Sequence, residues 1–191
     1  GKGVVVADSV EQACDAADAM LSGNRYGDAG HRVVVEEYLS GEEASFIVMC
    51  DGVHILPMAS SQDHKARDRG DRGPNTGGMG AYSPAPVITG AMHDRVMSEV
   101  IRPTVDGMTA DGVPYKGFLY AGLMITDDGR INVLEYNCRF GDPETQPIMM
   151  RLQSDLVDLC ARGVQGRLDG AAARWDERVA LGVVLASAGY P

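Results

Sequence analysis

The chain has 191 residues and carries 17 Lys and Arg against 27 Asp and Glu, a formal charge of −10. Such an acid-rich chain does not collect phosphate backbones by bulk charge, which argues against general binding of nucleic acid or an anionic membrane. With 45% apolar and 23% charged residues it can build a core, and no run approaches the roughly 18 apolar residues of a membrane span.

The elements follow from pattern. Val4–Ala7 reads as a short strand leaving Gly1-Lys2-Gly3. Ser9 and Gln12 form a capping box for a helix reaching about Leu21, with Ala13, Ala17, Met20 and Leu21 as its apolar stripe and Gly23 as its stop. Arg32–Leu39 is rich in β-branched residues and predicts a second strand. Ser45–Cys50 and His54–Met58 flank Asp51-Gly52, a hairpin signal. Residues 59–86 are polar and rich in Gly and Pro, and read as a long functional loop that closes over substrate. A helix from Met92 to Met108 is interrupted or kinked at Pro103. Tyr115–Thr126 and Arg130–Tyr136 form another hairpin across Asp127-Asp128-Gly129. Pro143 and Pro147 punctuate a helical start, Ser154 caps a helix running to Gly163, and Val179–Ala186 is a last strand. Hairpins with helices set apart from them predict an α+β fold.

The cysteines at 14, 50, 138 and 160 and the four histidines are scattered, without C-x-x-C or H-E-x-x-H. That disfavours protein-ligated zinc and a small disulfide framework, and fits reduced thiols in a cytoplasmic protein. The 24 glycines punctuate elements and crowd the 59–86 segment, with no repeat to account for them.

Three segments carry chemistry. On a strand, Glu135, Asn137 and Arg139 share a face, opposite Leu134, Tyr136 and Cys138. A carboxylate and an amide oxygen so placed suit a hard cation such as Mg²⁺, and the guanidinium suits a phosphate or carboxylate; a wet strand end is the bland alternative. Glu37 to Glu43 leads from a strand into a Gly-containing turn, which can offer backbone groups to a planar base and a carboxylate to ribose. Gly1-Lys2-Gly3 can bring a lysine over phosphates, although Gly3 stands where a Walker A loop needs Ser or Thr. Likewise Ser83 replaces the third glycine that 77-GGMGAYS-83 would need for a dinucleotide fingerprint.

In this order these pieces resemble the ATP-grasp fold. Within it, Arg139-Phe-Gly-Asp-Pro-Glu-Thr-Gln146 is similar to the R-F-G-D-P-E-x-Q signature of the phosphoribosylamine–glycine ligases, the glycinamide ribonucleotide synthetases. Ser61-Gln-Asp-His-Lys65, Gly73–Pro84 and Gly117–Met124 extend the resemblance over essentially the whole chain. It implies a small ATP-grasp lobe (1–40), a larger, mainly antiparallel lobe (41–170) and the start of a C-terminal lobe (171–191), with further family lobes before Gly1 and after Pro191. It also implies ATP-dependent joining of glycine to 5-phosphoribosylamine through glycyl phosphate, in purine biosynthesis.

By the same resemblance Glu135 and Asn137 hold Mg²⁺ or Mn²⁺, and Arg139 and Lys65 act on the transferring phosphoryl group. Lys2 and Lys65 approach the ATP phosphates, Glu36, Glu37, Tyr38 and Leu39 form the adenine hinge, and Glu43 contacts ribose. Asp63, His64, Asn75, Thr76, Gly77, Gly78 and Asp142 face the glycine or its acyl phosphate. The preceding strand, Phe118–Ile125, lacks the additional metal-binding acid of many ATP-grasp enzymes. Another carboxylate–amine ligase of this fold, or a nucleotide-binding module without catalysis, are the competing readings.

Overall fold

The structure is a computed structural model that describes residues 3–22, 30–70 and 72–190. The chain divides into two compact units, Gly1–Leu39 and Ser40–Pro191. In the smaller unit, α1 spans Val10–Ser22. Its start behaves as a capping box displaced by one residue. The Gln12 N–H donates to Ser9 Oγ (3.1 Å), and Gln12 Oε1 accepts from the N–H of Asp8 instead of Ser9 (2.6 Å). Ala13, Ala17 and Met20 of the expected stripe line a cleft of about 530 Å³ with Val4–Ala7 and Val33–Tyr38. Leu21 lies half exposed.

Neither Val4–Ala7 nor Arg32–Leu39 is a strand. β-branched residues favour extended backbone, but a strand exists only where a neighbour exchanges ladder hydrogen bonds with it. Among the described residues neither segment has such a neighbour, and Val5, Val34 and Val35 remain exposed.

The larger unit holds two antiparallel sheets. The first comprises β1 (Glu42–Asp51), β2 (Ile55–Pro57), β5 (Lys116–Ile125) and β6 (Ile131–Asn137), in the order β2-β1-β5-β6. Both expected hairpins are present. Gly52 and Gly129 adopt φ of 100° and 78°, a left-handed conformation that a Cβ would strain. Asp51 fixes the first turn: Oδ1 accepts from the N–H groups of Val53 and His54 (3.0 and 2.7 Å), and Oδ2 accepts from Leu168 N–H (2.9 Å). Burial opposes its charge, yet these amides and the His54 ring more than offset that and hold the carboxyl well below the usual carboxylate range. Asp51→Ala strands three donors. It is therefore expected to cost about 3–5 kcal/mol in urea unfolding, whereas a loss under about 1 kcal/mol would show that water replaces the carboxylate.

The second sheet corrects the reading of 59–86 as a structureless loop. It contains β3 (Gln62–Asp68) and β4 (Arg72–Ser83), paired antiparallel, with β7 (Ala180–Val183) on the other side of β4. The ladder tolerates the small residues because it is irregular, with register shifts after His64 and Ala66. Thr76 is fully buried and ties the two strands at the irregularity: its hydroxyl donates to the Lys65 carbonyl (2.9 Å) and accepts from Gly78 N–H (3.0 Å). A backbone bridge between Ser45 and Ser61 joins the two sheets.

The face of the first sheet carrying Phe46, Val48, Cys50, Leu119, Ala121 and Leu123 packs on the helical segment after β4. That segment runs through α2 (Gly90–Val96), a π-helical turn (Met97–Ile101) and α3 (Arg102–Ala110). The irregular turn precedes Pro103, whose ring leaves no N–H for the carbonyl a turn earlier and crowds it, so the helix widens there. Burying a side chain such as Phe46 or Ile101 here contributes about 1.5–3 kcal/mol. The opposite face carries Ile47, Met49, Phe118 and Tyr120 against α4 (Thr145–Arg151) and α5 (Leu156–Val164). The cap of α5 is Asp155, which accepts from Val157 and Asp158 N–H. Ser154, expected there, accepts from Arg174 N–H instead.

Candidate functional site

The strand alternation expected for β6 places Glu135 and Asn137 on one face, while Tyr136 points away and meets the Thr104 hydroxyl on α3 (2.7 Å). In the ladder with β5, Glu135 lies opposite Gly122 and Asn137 opposite Tyr120. A bulge at Leu134 precedes this pair. β1 extends the same rows, with Ser45 beside Gly122 and Ile47 beside Tyr120. A Cβ on Gly122 would sit 3.2 Å from Glu135 Cγ and 3.3 Å from Tyr120 Cε1, so glycine here leaves room for the carboxylate stem beside the phenol. β6 ends at Asn137, and Cys138-Arg139 forms a bend, so the expectation that alternation carries Arg139 onto the same face does not hold. Arg139 is exposed and donates to the Phe140 carbonyl (2.7 Å). The Phe140 ring meets Phe118 edge-on at 4.9 Å and seats this bend on β5.

Beneath this face lies a buried polar chain. Ser45 Oγ donates to Glu144 Oε1 (2.7 Å) and lies 3.1 Å from Tyr120 Oη. Since the single Ser45 hydroxyl proton goes to Glu144, Tyr120 donates to Ser45. Glu144 is 2% exposed, and its Oε2 has no hydrogen-bond partner among the described residues. Gly141 is bare for the same reason as Gly122: a Cβ there would fall 2.6 Å from Glu144 Oε2. Burial, followed by the charges of Glu144 and Asp63, pushes the Tyr120 phenol far above its ordinary value, so it stays a donor.

β3 adds Asp63 and Lys65. Lys65 Nζ donates to Glu43 Oε2 at 2.6 Å. Burial alone would depress the ammonium. Asp63, Glu43 and Glu135 outweigh that and raise it, so Lys65 stays protonated. Asp63 is itself pushed up to about 6, chiefly by burial, with Lys65 opposing and Glu144 and Glu43 reinforcing the rise. Three carboxylates, Asp63, Glu43 and Glu135, thus act on one ammonium, and the surplus negative charge favours an incoming cation. Stability should register the strain. A folded pKa above the ordinary 3.8 means that the native state holds the extra proton, so stability present below pH 3.8 is lost as pH rises through about 6. Asp63→Asn is expected to match the native chain near pH 3.8 and to be up to about 3 kcal/mol more stable above pH 7 in urea unfolding. Equal stabilities at both pH values would show that the charged carboxylate carries no penalty.

The donors fit a hard divalent cation. Glu135 and Asn137 offer two oxygens on one face with Lys65 and its carboxylates behind them. Among the described residues no group of three or more His, Cys, Asp or Glu converges into an all-protein cage. Such a set suits an ion that keeps water and phosphate oxygens for most of its shell.

The other expected site residues are placed as follows. Lys2 lies outside the described residues. Glu36, Glu37 and Tyr38 line the cleft of the smaller unit, and Leu39 does not. Glu43 is engaged by Lys65. His64 is exposed on β3, its ring 5.5 Å from that of Tyr82. Asn75 pairs across from Ala66, Thr76 is a buried strand tie, and Gly77 N–H donates to Tyr190 Oη (3.3 Å). Gly78 packs against Pro143: a Cβ would come 2.3 Å from its Cδ. Asp142 is exposed. Pattern reading passed over Ser45, Tyr120 and Glu144. A signal existed for two of them: Ser45 interrupts an apolar strand, and Glu144 lies inside the R-F-G-D-P-E signature.

Known proteins resemble this chain in sequence and fold. A phosphoribosylamine–glycine ligase of Allochromatium vinosum is 67% identical over 191 residues, covering 100% of this chain and 45% of that protein. One of Yersinia pestis is 66% identical with the same coverage. The chain therefore spans less than half the length of these relatives. The crystal structure of phosphoribosylamine–glycine ligase from Thermotoga maritima superposes with a TM-score of 0.83 at 34% identity, over 100% of this chain and 48% of that one. An L-amino acid ligase from Bacillus licheniformis shares the fold, at a TM-score of 0.68 and 16% identity over 98% of this chain and 45% of that one. Residues 1–145 match the family described as phosphoribosylglycinamide synthetase, ATP-grasp (A) domain, and the chain belongs to that family.

Proposed function

We propose that the complete protein ligates glycine to 5-phosphoribosylamine with ATP, giving glycinamide ribonucleotide, ADP and phosphate, and that this chain holds its metal and phosphate face. The observation that carries the reading is the pairing of Glu135 with Gly122 and Asn137 with Tyr120, beside the Lys65–Glu43 pair, in a chain two-thirds identical to proteins of that name. Glu135 and Asn137 would hold Mg²⁺ or Mn²⁺, which supplies charge neutralisation to ATP phosphates when bound.

The chain's own residues do the positioning. Lys65 remains protonated and would present a positive charge toward phosphate, while Glu43 holds its ammonium and Thr76 its backbone carbonyl. Glu43 keeps Oε1 for a ribose hydroxyl. Arg139, exposed in the bend after β6, would steady a transferred phosphoryl group or the glycyl phosphate formed from it. Asp63, His64, Asn75, Gly77 and Asp142 would contact the acyl donor, with Gly78 shaping β4 behind them. Glu36 to Leu39 and Lys2 would take the adenine and phosphates of ATP. The chain covers 45% of the length of such a relative, and parts of the complete protein outside it would contribute to the amine site.

The test is ADP release by the complete protein given ATP, Mg²⁺, phosphoribosylamine and one carboxylate at a time. Release with glycine alone supports the assignment. Preference for another carboxylate would make it a different ligase of this fold, and ATP binding without release would make it a nucleotide-binding module.

A further inference from the structure

We propose that Tyr120, anchored through Ser45 to Glu144, is a positioning residue that sets where Glu135 and Asn137 can hold a cation. This rests on the metal reading of those two residues given above.

The sheet register sets Tyr120 opposite one of them and diagonal to the other. It is the cross-strand partner of Asn137, and it lies two residues from Gly122, the partner of Glu135. Directly opposed residues keep their Cβ atoms about 4.5–5.5 Å apart, and diagonal neighbours remain within reach of an aromatic ring. The bare face of Gly122 borders both side chains: the point a Cβ would occupy lies 3.2 Å from Glu135 Cγ, 3.3 Å from Tyr120 Cε1 and 3.6 Å from Tyr120 Oη. The phenol thus flanks the space left by Gly122 beside the Glu135 stem, and its direction bears on where that carboxylate can lean.

The ring's direction is in turn set by hydrogen bonds. Tyr120 Oη reaches Ser45 Oγ, and Ser45 is committed to Glu144 Oε1. Ser45 is fully buried and Glu144 nearly so. A buried carboxylate that has, among the described residues, one bonded oxygen and no cationic partner is expensive, and hydrophobic packing alone would not call for it. Its placement is purposeful in one respect: it fixes the Ser45 proton, which leaves the Ser45 lone pair for Tyr120 and gives the chain a single direction. The three residues come from β1, β5 and the segment after β6, so the chain also ties the ligand strand's exit to the sheet. Groups behind metal ligands that act this way typically change metal affinity when removed.

Three variants of the complete protein test this: Tyr120→Phe, Ser45→Ala and Glu135→Gln. Free Mn²⁺ is read by electron paramagnetic resonance during titration in the presence of ADP, and melting temperature serves as the folding control. Glu135→Gln should abolish the protein-dependent Mn²⁺ binding. Tyr120→Phe keeps the ring and loses its anchor, and should weaken Mn²⁺ binding about tenfold with metal-free ADP affinity unchanged. In turnover the Mg²⁺ activation constant should rise while the KM for glycine stays constant, a split that a general packing defect would not produce. Ser45→Ala should reproduce the effect; if it fails to fold, Tyr120→Phe decides alone. Native Mn²⁺ affinity in Tyr120→Phe, with binding lost in Glu135→Gln, overturns the positioning role and leaves the metal site standing. Native affinity in Glu135→Gln removes the metal assignment, and this inference with it.

Discussion

Glu135→Gln in the complete protein is expected to lower ligation about a thousandfold, equivalent to about 4 kcal/mol of transition-state stabilisation, with the fold intact. Phosphoryl transfer needs its developing charge neutralised by groups already in place, and the amide keeps the shape of the side chain but removes the charge. Folding should not suffer, because Glu135 is exposed and Lys65 retains Asp63 and Glu43. The substitution removes one of the charges that favour the Lys65 ammonium, so any change in melting temperature should be small and downward. Asn137→Ala removes the second oxygen and should be similarly damaging, its backbone pairing with Tyr120 being unaffected. The measurement is single-turnover ADP formation at saturating Mg²⁺. Near-normal rates in either variant would move the metal site elsewhere.

What could be read from sequence, and what could not, divides along the range of the contacts involved. The hairpins β1–β2 and β5–β6 were legible because Asp-Gly turns and β-branched runs act within a few residues. Glu135 and Asn137 were legible because strand alternation needs only their spacing. Alternation failed at Arg139, where the strand had already ended in a bend. The stretch from 59 to 86 hid two strands because small residues give no periodic apolar signal. The β structure of β4 comes from partners on both sides: β3 at 62–68 and the distant β7 at 180–183. The opposite error occurred at Arg32–Leu39, whose composition favours a strand and whose described surroundings offer no ladder. Tyr120 looked like one more apolar strand residue, and its link through Ser45 to Glu144 spans contacts that no local pattern encodes.

Gly78→Val separates a packed strand from a substrate-closing loop. β4 is held by β3 on one edge and β7 on the other, and Gly78 adopts φ of 121° with Pro143 against its bare face. A β-branched residue is strained at that φ, and its Cβ would begin 2.3 Å from Pro143 Cδ and 3.4 Å from the Asp142 carbonyl. Backbone strain and overpacking together predict a loss of about 3–5 kcal/mol in thermal or urea unfolding. Activity should fall with it, because the displaced segment carries Glu144 and, through Ser45, the anchor of Tyr120. A lid would behave differently: unchanged stability, altered kinetics, and amide protection appearing only when nucleotide and glycine bind. In the ladder seen here, the amides of β4 that face β3 and β7 should exchange slowly with no ligand present. Rapid exchange across residues 74–83 in the free protein, with a Gly78→Val variant of native stability, would mean that this sheet forms only around substrate.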